Sequence, residues 1–344
     1  MNRRLQAQLC LLCALIVLPV SMIAINGSRA VQAILNSANP HDSERDSRAE
    51  VPAKDVSGSR ASRRLRFGVY DPQGVFPDDK DLMIRHVYVS WSDFKADRLE
   101  AQLASLSQNG FEILLTIEPW PKADITGLLL PAIAEGKYDA VIDELAGAMS
   151  AVSSPIYVSW GHEMDQDLTQ RYPWSGENPK QFVEAYRHVV SRLRQQVAGQ
   201  IRWVWAGVLK DGSVNYWPGD DFVDFIGFPI YSFPEWDQQA YGYIRDFRTT
   251  FEDKQRIVAD LDKPLMITEM GVSGSDDFEN FWLRQAFLEL DDFPNLEAVV
   301  FFYSRDTENA WGNNVATPDW RVHPEAIRGL VSWKLDEQRK ISTK

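Results

Sequence analysis

The sequence predicts an α/β fold, a closed (β/α)8 TIM barrel forming a single domain, on three observations. Eight short runs rich in β-branched and aromatic residues follow one another from residue 65 onward. Most are apolar almost throughout rather than alternating, as befits strands buried on both faces of a parallel sheet. Helical patterns lie between them, so one rhythm repeats over about 270 residues, the span of such a barrel. An open doubly wound sheet usually carries a glycine-rich phosphate turn after its first strand, and Tyr70-Asp71-Pro72-Gln73-Gly74 is no such turn.

Taken in order, the chain begins with a different kind of segment. Arg3 and Arg4 precede an apolar run at 9–25, and Ser28-Arg29-Ala30 follows it, the order of a secretory signal. The run is longer than the usual signal core and short for a comfortable membrane span. Residues 1–30 therefore read as a signal peptide or an uncleaved anchor, and 9–25 as a membrane tether in the second case. The protein is expected to be secreted or periplasmic, or else anchored facing outside. Both cysteines, Cys10 and Cys13, lie in this run, so a processed domain has no disulfide. Residues 31–64 are rich in Ser, Arg, Asp and Ala; they cannot bury enough to offset their ordering entropy and read as a flexible linker. The barrel is expected at 65–338.

The strand candidates are 67–70, 86–91, 112–117, 155–160, 201–208, 224–230, 264–268 and 298–303. Helical periodicity places Leu99, Leu103 and Leu106 on one face of 96–107. It does the same for Val141, Ile142, Leu145 and Met149 in 138–149, and for Phe182, Tyr186, Val189 and Leu193 in 179–197. Asn178-Pro179 opens the third of these helices and Asn109-Gly110 closes the first. Patterns at 240–261, 277–290 and 324–335 complete the set, while 78–83 and 220–223 look like single turns. A chain of 344 residues, 44% hydrophobic, can bury a large core. Its formal charge of −13 argues against nucleic acid and anionic membranes as partners. A monomer is expected.

In such a barrel the chemistry gathers at the C-terminal ends of the strands. The fourth run ends in Trp160-Gly161-His162-Glu163, the sixth in Tyr231-Ser232, and the seventh in Thr268-Glu269-Met270-Gly271. Glu163 and Glu269 are far apart in sequence, yet a barrel brings those two strand ends to one pocket. Glycoside hydrolysis uses such a pair, one carboxylic acid protonating the leaving oxygen while the other attacks the anomeric carbon. Retention of configuration results when they stand about 5–5.5 Å apart. His-Glu-Met-Asp is not a zinc motif, because the second histidine is missing. None of the other histidines sits near a strand's C-terminal end, so no metal and no cofactor is expected.

WGHEMD followed by YPWSG, with ITEMG about a hundred residues later, resembles glycoside hydrolase family 26, which includes β-mannanases and belongs to a retaining barrel clan. The likeness runs from about 67 to 333. It implies that Glu163 is the acid/base, that Glu269 is the nucleophile, and that Tyr231 hydrogen-bonds the nucleophile. His162 matches the family's histidine before the acid/base. Mannanases of the family place a tryptophan after strand eight, for which Trp311 is the candidate and Tyr303 a rival. The chain departs from their His-Glu-Met-Asn-Gly by carrying Asp165 and Gln166, with no tryptophan until Trp174.

Trp120 and Trp174, with Trp217, Trp236, Trp311 and Trp320, fall in rim or loop segments where indoles can stack on sugars. Trp282 and Trp333 read as core. Glu118 is a third acid near the pocket, or the partner of Arg85 or Arg305. The implied function is a retaining endo-β-glycosidase acting by double displacement on an extracellular polysaccharide, β-1,4-mannan-like or an exopolysaccharide. Mixed-linkage β-glucan and β-1,3-xylan are the alternative substrates, and a catalytically silent glycan-binding barrel is the alternative function.

Overall fold

The computed structural model describes residues 64–121, 128–166, 171–176, 178–197, 201–312 and 314–342. The expected signal or anchor at 1–30, both cysteines and all of the expected linker except Arg64 lie outside the described residues. Among the described residues, no helix is long and apolar enough to cross a membrane.

Eight strands form the barrel: β1 (Arg66–Tyr70), β2 (Ile84–Ser90), β3 (Glu112–Glu118), β4 (Ile156–Trp160), β5 (Ile201–Ala206), β6 (Phe225–Ser232), β7 (Leu265–Val272) and β8 (Leu296–Phe302). Each pairs in parallel with the next, and β8 closes on β1 through Arg66–Tyr70 against Ala298–Phe302. The surrounding helices are α1 (Ala96–Gln108), α2 (Leu129–Ala134), α3 (Asp139–Met149), α4 (Pro179–Gln196), α5 (Pro234–Tyr241), α6 (Phe247–Ile257), α7 (Asp276–Glu289) and α8 (Pro324–Ser342). The (β/α)8 architecture expected from the sequence is the one observed.

Two expectations are corrected. The single helix expected at 240–261 is two, because Gly242 takes a left-handed φ of 79° at the end of α5. Asp246 then caps α6, accepting from the Thr249 N–H at 2.7 Å. The fifth connection has the turn expected at 220–223, a 3-10 turn at Asp220–Phe222, and a second one at Ser213–Tyr216. Trp333 is not core but 37% exposed; the buried stripe of α8 runs through Ile327, Val331 and Leu335 instead.

Strand alternation divides the core in two. One face of the strands packs outward on the helices, as with Ile113, Leu115, Val158, Ile226 and Ile267. The other face fills the barrel interior with Ile84, Leu114, Tyr157, Val204, Phe225, Met266 and Ala298. One row higher the inward residues turn polar: His86 Nε2 lies 2.8 Å from Thr116 Oγ1, and Ser159 is buried beside them. Inward positions of β2 and β3 then reach Tyr88 and Glu118. The barrel thus carries an apolar plug below and a polar floor above, facing the strand ends.

Candidate active site

Glu163 stands in the turn that leaves β4. Gly161 and Glu163 both adopt left-handed backbone, with φ of 59° and 52°, a conformation costly for a residue with a Cβ. Neighbouring strands hold it: Gly161 N–H donates to Ile117 O at 3.0 Å, and Glu163 N–H to Ala206 O at 2.8 Å. The Glu163 side chain is buried, and Gln166 Nε2 donates to its Oε2 at 2.9 Å.

Glu269 needs a different device. With Met266 and Thr268 facing inward, strict alternation would send Glu269 to the helix layer. The β6–β7 register shifts at Phe228/Pro229, so that Phe228 pairs with Ile267 but Pro229 with Glu269. Pro229 has no N–H to give the ladder, and the extra residue makes a bulge that turns Glu269 into the barrel mouth. There it accepts from Tyr88 Oη at 2.7 Å and from Tyr231 Oη at 2.6 Å. Tyr88 carries no sequence signal other than its parity with His86. Tyr231 is where the family resemblance placed it.

The two carboxylates line the same cavity of about 900 Å³. Burial, then the Glu269 carboxylate beside it, pushes Glu163 up to about 8. Burial leaves Glu269 raised as well, with the Tyr231 and Tyr88 hydrogen bonds and then Arg171 offsetting part of that rise. Glu163 is therefore the group that keeps a proton at neutral pH, and Glu269 the one with donors built for a negative charge. Arg171, absent from the sequence candidates although it directly precedes the YPWSG motif, lines the cavity 3.5 Å from Asp306. Burial opposes its charge, yet Tyr172, Glu163, Asp306 and Glu269 around it hold the guanidinium ionised.

His162 is buried between the rings of Tyr172, Tyr88 and Trp174, at centroid distances of 4.9, 5.9 and 6.0 Å. Burial and then Arg171 drive it down to about 3, so it is neutral. Trp311 lines the cavity, donating to Asp306 Oδ2 at 2.7 Å and standing edge-on to Tyr231. Three expected sugar contacts are corrected. Trp174 is wholly buried, stacked on Tyr172 at 4.7 Å, and its Nε1 donates to His162 O at 2.8 Å; it supports the β4 turn from behind. Tyr303 follows β8 with the outward parity and packs edge-on against Phe76 at 4.9 Å, while Phe302 takes the inward place. Trp120 stands behind the wall, edge-on to Trp174, and donates at 3.3 Å to Glu118, which does reach the cavity.

Asp165 explains the altered motif. Its Oδ1 accepts from Val208 N–H at 2.9 Å and its Oδ2 from Leu209 N–H at 3.0 Å, with Ser213 Oγ also donating to Oδ2. An amide could accept on one oxygen only. The carboxylate thus fastens the loop after β5 to the turn that carries Glu163.

Comparison with known proteins agrees with this architecture. The model of the family described as glycosyl hydrolase family 26 matches residues 136–303, which hold both glutamates. The chain is a relative of glycosyl hydrolase family 26. Among curated proteins, Endoglucanase H of Acetivibrio thermocellus is 25% identical over 263 residues, 72% of this chain and 28% of that protein. A β-1,3-xylanase of Vibrio sp. is 32% identical over 106 residues, 29% of this chain and 22% of its own. The chain thus spans about a quarter of the length of these curated relatives. Among solved structures, the family 26 protein GH26C from Muricauda sp. superposes with a TM-score of 0.55 at 16% identity, covering 78% of this chain and 85% of that one. A family 26 β-mannanase from Bacteroides ovatus gives 0.52 at 17%, covering 81% and 86%. At such identities these family 26 structures speak for the barrel alone.

Proposed function

We propose that the protein is a retaining endo-β-glycosidase, with Glu163 as acid/base and Glu269 as nucleophile. The observation that carries this reading is the unequal surroundings of two carboxylates in one cavity, Glu163 pushed up to about 8 and Glu269 held by two tyrosine hydrogen bonds that offset part of its burial. In the first step Glu163 gives its proton to the glycosidic oxygen as a Glu269 oxygen bonds to the anomeric carbon. Water, deprotonated by Glu163, then displaces Glu269. His162, Tyr231 and Trp311 bind or orient the sugar at the bond that breaks, while Tyr88 and Tyr231 hold Glu269 in place.

The substrate is a β-linked polysaccharide outside the cytoplasm. β-1,4-Mannan has less support than the sequence resemblance gave it, since Trp174 is buried and Asp165 serves the loop. The names of the sequence relatives favour a β-glucan or a β-1,3-xylan. Incubation with β-mannan, β-1,4-glucan, mixed-linkage β-glucan and β-1,3-xylan tests this, read by oligosaccharide release. Glu269→Ala is expected to lose turnover by several orders of magnitude while still binding the polysaccharide. Equal turnover by wild type and Glu269→Ala, or binding to a glycan without any turnover by either, would overturn it. The rate should fall on the alkaline side as Glu163 loses its proton near pH 8.

A further inference from the structure

The fifth connection of the barrel has no α-helix among its described residues, so the flank of α6 that faces β5 is left uncovered. Thr250, Asp253, Lys254 and Ile257, one helical face of α6, line the same cavity as the two glutamates. The loop after β5 forms the opposite wall through Val208 and Leu209, and Lys254 Nζ donates to the Val208 carbonyl across the floor. That loop belongs to the Glu163 side, since Glu163 N–H is bonded to Ala206 and Asp165 to Val208.

A chain of rings borders this space. Trp311 meets Trp236 edge-on at 5.1 Å, Trp236 meets Tyr241 at 5.4 Å, and Tyr241 lies 6.3 Å from Tyr243. Tyr241 is 46% exposed and Tyr243 52%, and both line the cavity. Adjoining rings at the edge of a cavity form a contiguous apolar patch, the kind of surface that marks a binding groove. One of them is also braced. Asp237, fully buried, accepts from Arg245 at 2.8 and 3.0 Å, and the guanidinium lies 4.2 Å from the centre of the Tyr241 ring. A ring fixed in this way loses little freedom when a flat apolar face settles on it.

We propose that the space between α6 and the loop after β5 extends the cleft on the leaving-group side, and that Tyr241 and Tyr243 stack on sugars of the departing chain. The sidedness rests on the reading of Glu163 as proton donor, because the leaving sugar stands next to the acid. The occupant is a neutral face of a β-linked sugar in a chain longer than the bond being cut requires.

Affinity electrophoresis through gels containing each of the four polysaccharides tests the proposal independently of turnover, with Glu269→Ala as the parent. Adding Tyr241→Ala and Tyr243→Ala should weaken retardation about tenfold, and Tyr241→Phe with Tyr243→Phe should retain it. In the active enzyme the same pair of alanines should lower kcat/KM more on polysaccharide than on an aryl β-glycoside, and shift the product lengths. Equal retardation of the parent and the alanine variant, or no retardation of either in any gel, would overturn the proposal. Loss of turnover in the unaltered protein would instead count against the catalytic pair.

Discussion

Glu163 combines a left-handed backbone, a buried side chain and a raised proton affinity at one position. That combination has a cost in stability with a definite pH dependence. Folded Glu163 keeps its proton up to about 8, whereas an unconstrained glutamate releases it near 4.5. Between those values the unfolded chain binds fewer protons, so the fold loses stability as pH rises through the window. Glu163→Gln removes the ionisation, and its melting temperature should exceed that of the wild type by a margin that grows from pH 5 to pH 8. A constant margin would mean that Glu163 ionises as easily folded as unfolded. Asp165 gives a second test at this scale. Asp165→Asn places an amide N–H against one of two backbone donors, and a buried donor left without an acceptor costs about 1–3 kcal/mol. Thermal unfolding should show that loss, with kcat falling because the turn carrying Glu163 loosens. Unchanged values for both would remove Asp165 from the account.

At the scale of elements, the decisive feature is the bulge in β7. Pro229 interrupts the β6 ladder, Thr268 becomes the additional residue, and Glu269 turns inward. Gly227 lets this happen, since a Cβ there would lie 2.7 Å from Thr268 Cγ2 and 2.8 Å from Val204 Cγ1. Gly227→Ala should cost about 1–3 kcal/mol by overpacking and lower kcat through the displaced bulge, with the far-UV circular dichroism of the barrel retained. A variant with wild-type kcat would show that Glu269 is aimed by something else. The absent helix after β5 is the other informative element, because it opens the flank on which the Tyr241 and Tyr243 rings stand.

For the whole molecule, the barrel and the two glutamates are legible in the sequence because buried parallel strands read as apolar runs and the polar residues just past them mark the rim. Less is legible where a fold-level contact decides the outcome. Trp174 and Trp120 sit in loop segments like Trp311, and only packing around His162 separates the buried support from the ring in the cavity. Tyr88 lies inside an apolar run, and its hydrogen bond to Glu269 joins positions on strands that are not neighbours. The bulge has one sign, Pro229 within a strand pattern. Gly242 divides a helix that the apolar spacing reads as continuous.

The central claim is that a Glu269 oxygen bonds to the sugar before water does. Proton NMR of the reducing ends released in the first moments of hydrolysis, on whichever polysaccharide proves to be the substrate, tests it most directly. The account predicts that the β-anomer appears first and mutarotates later to the α-anomer. First appearance of the α-anomer would contradict it.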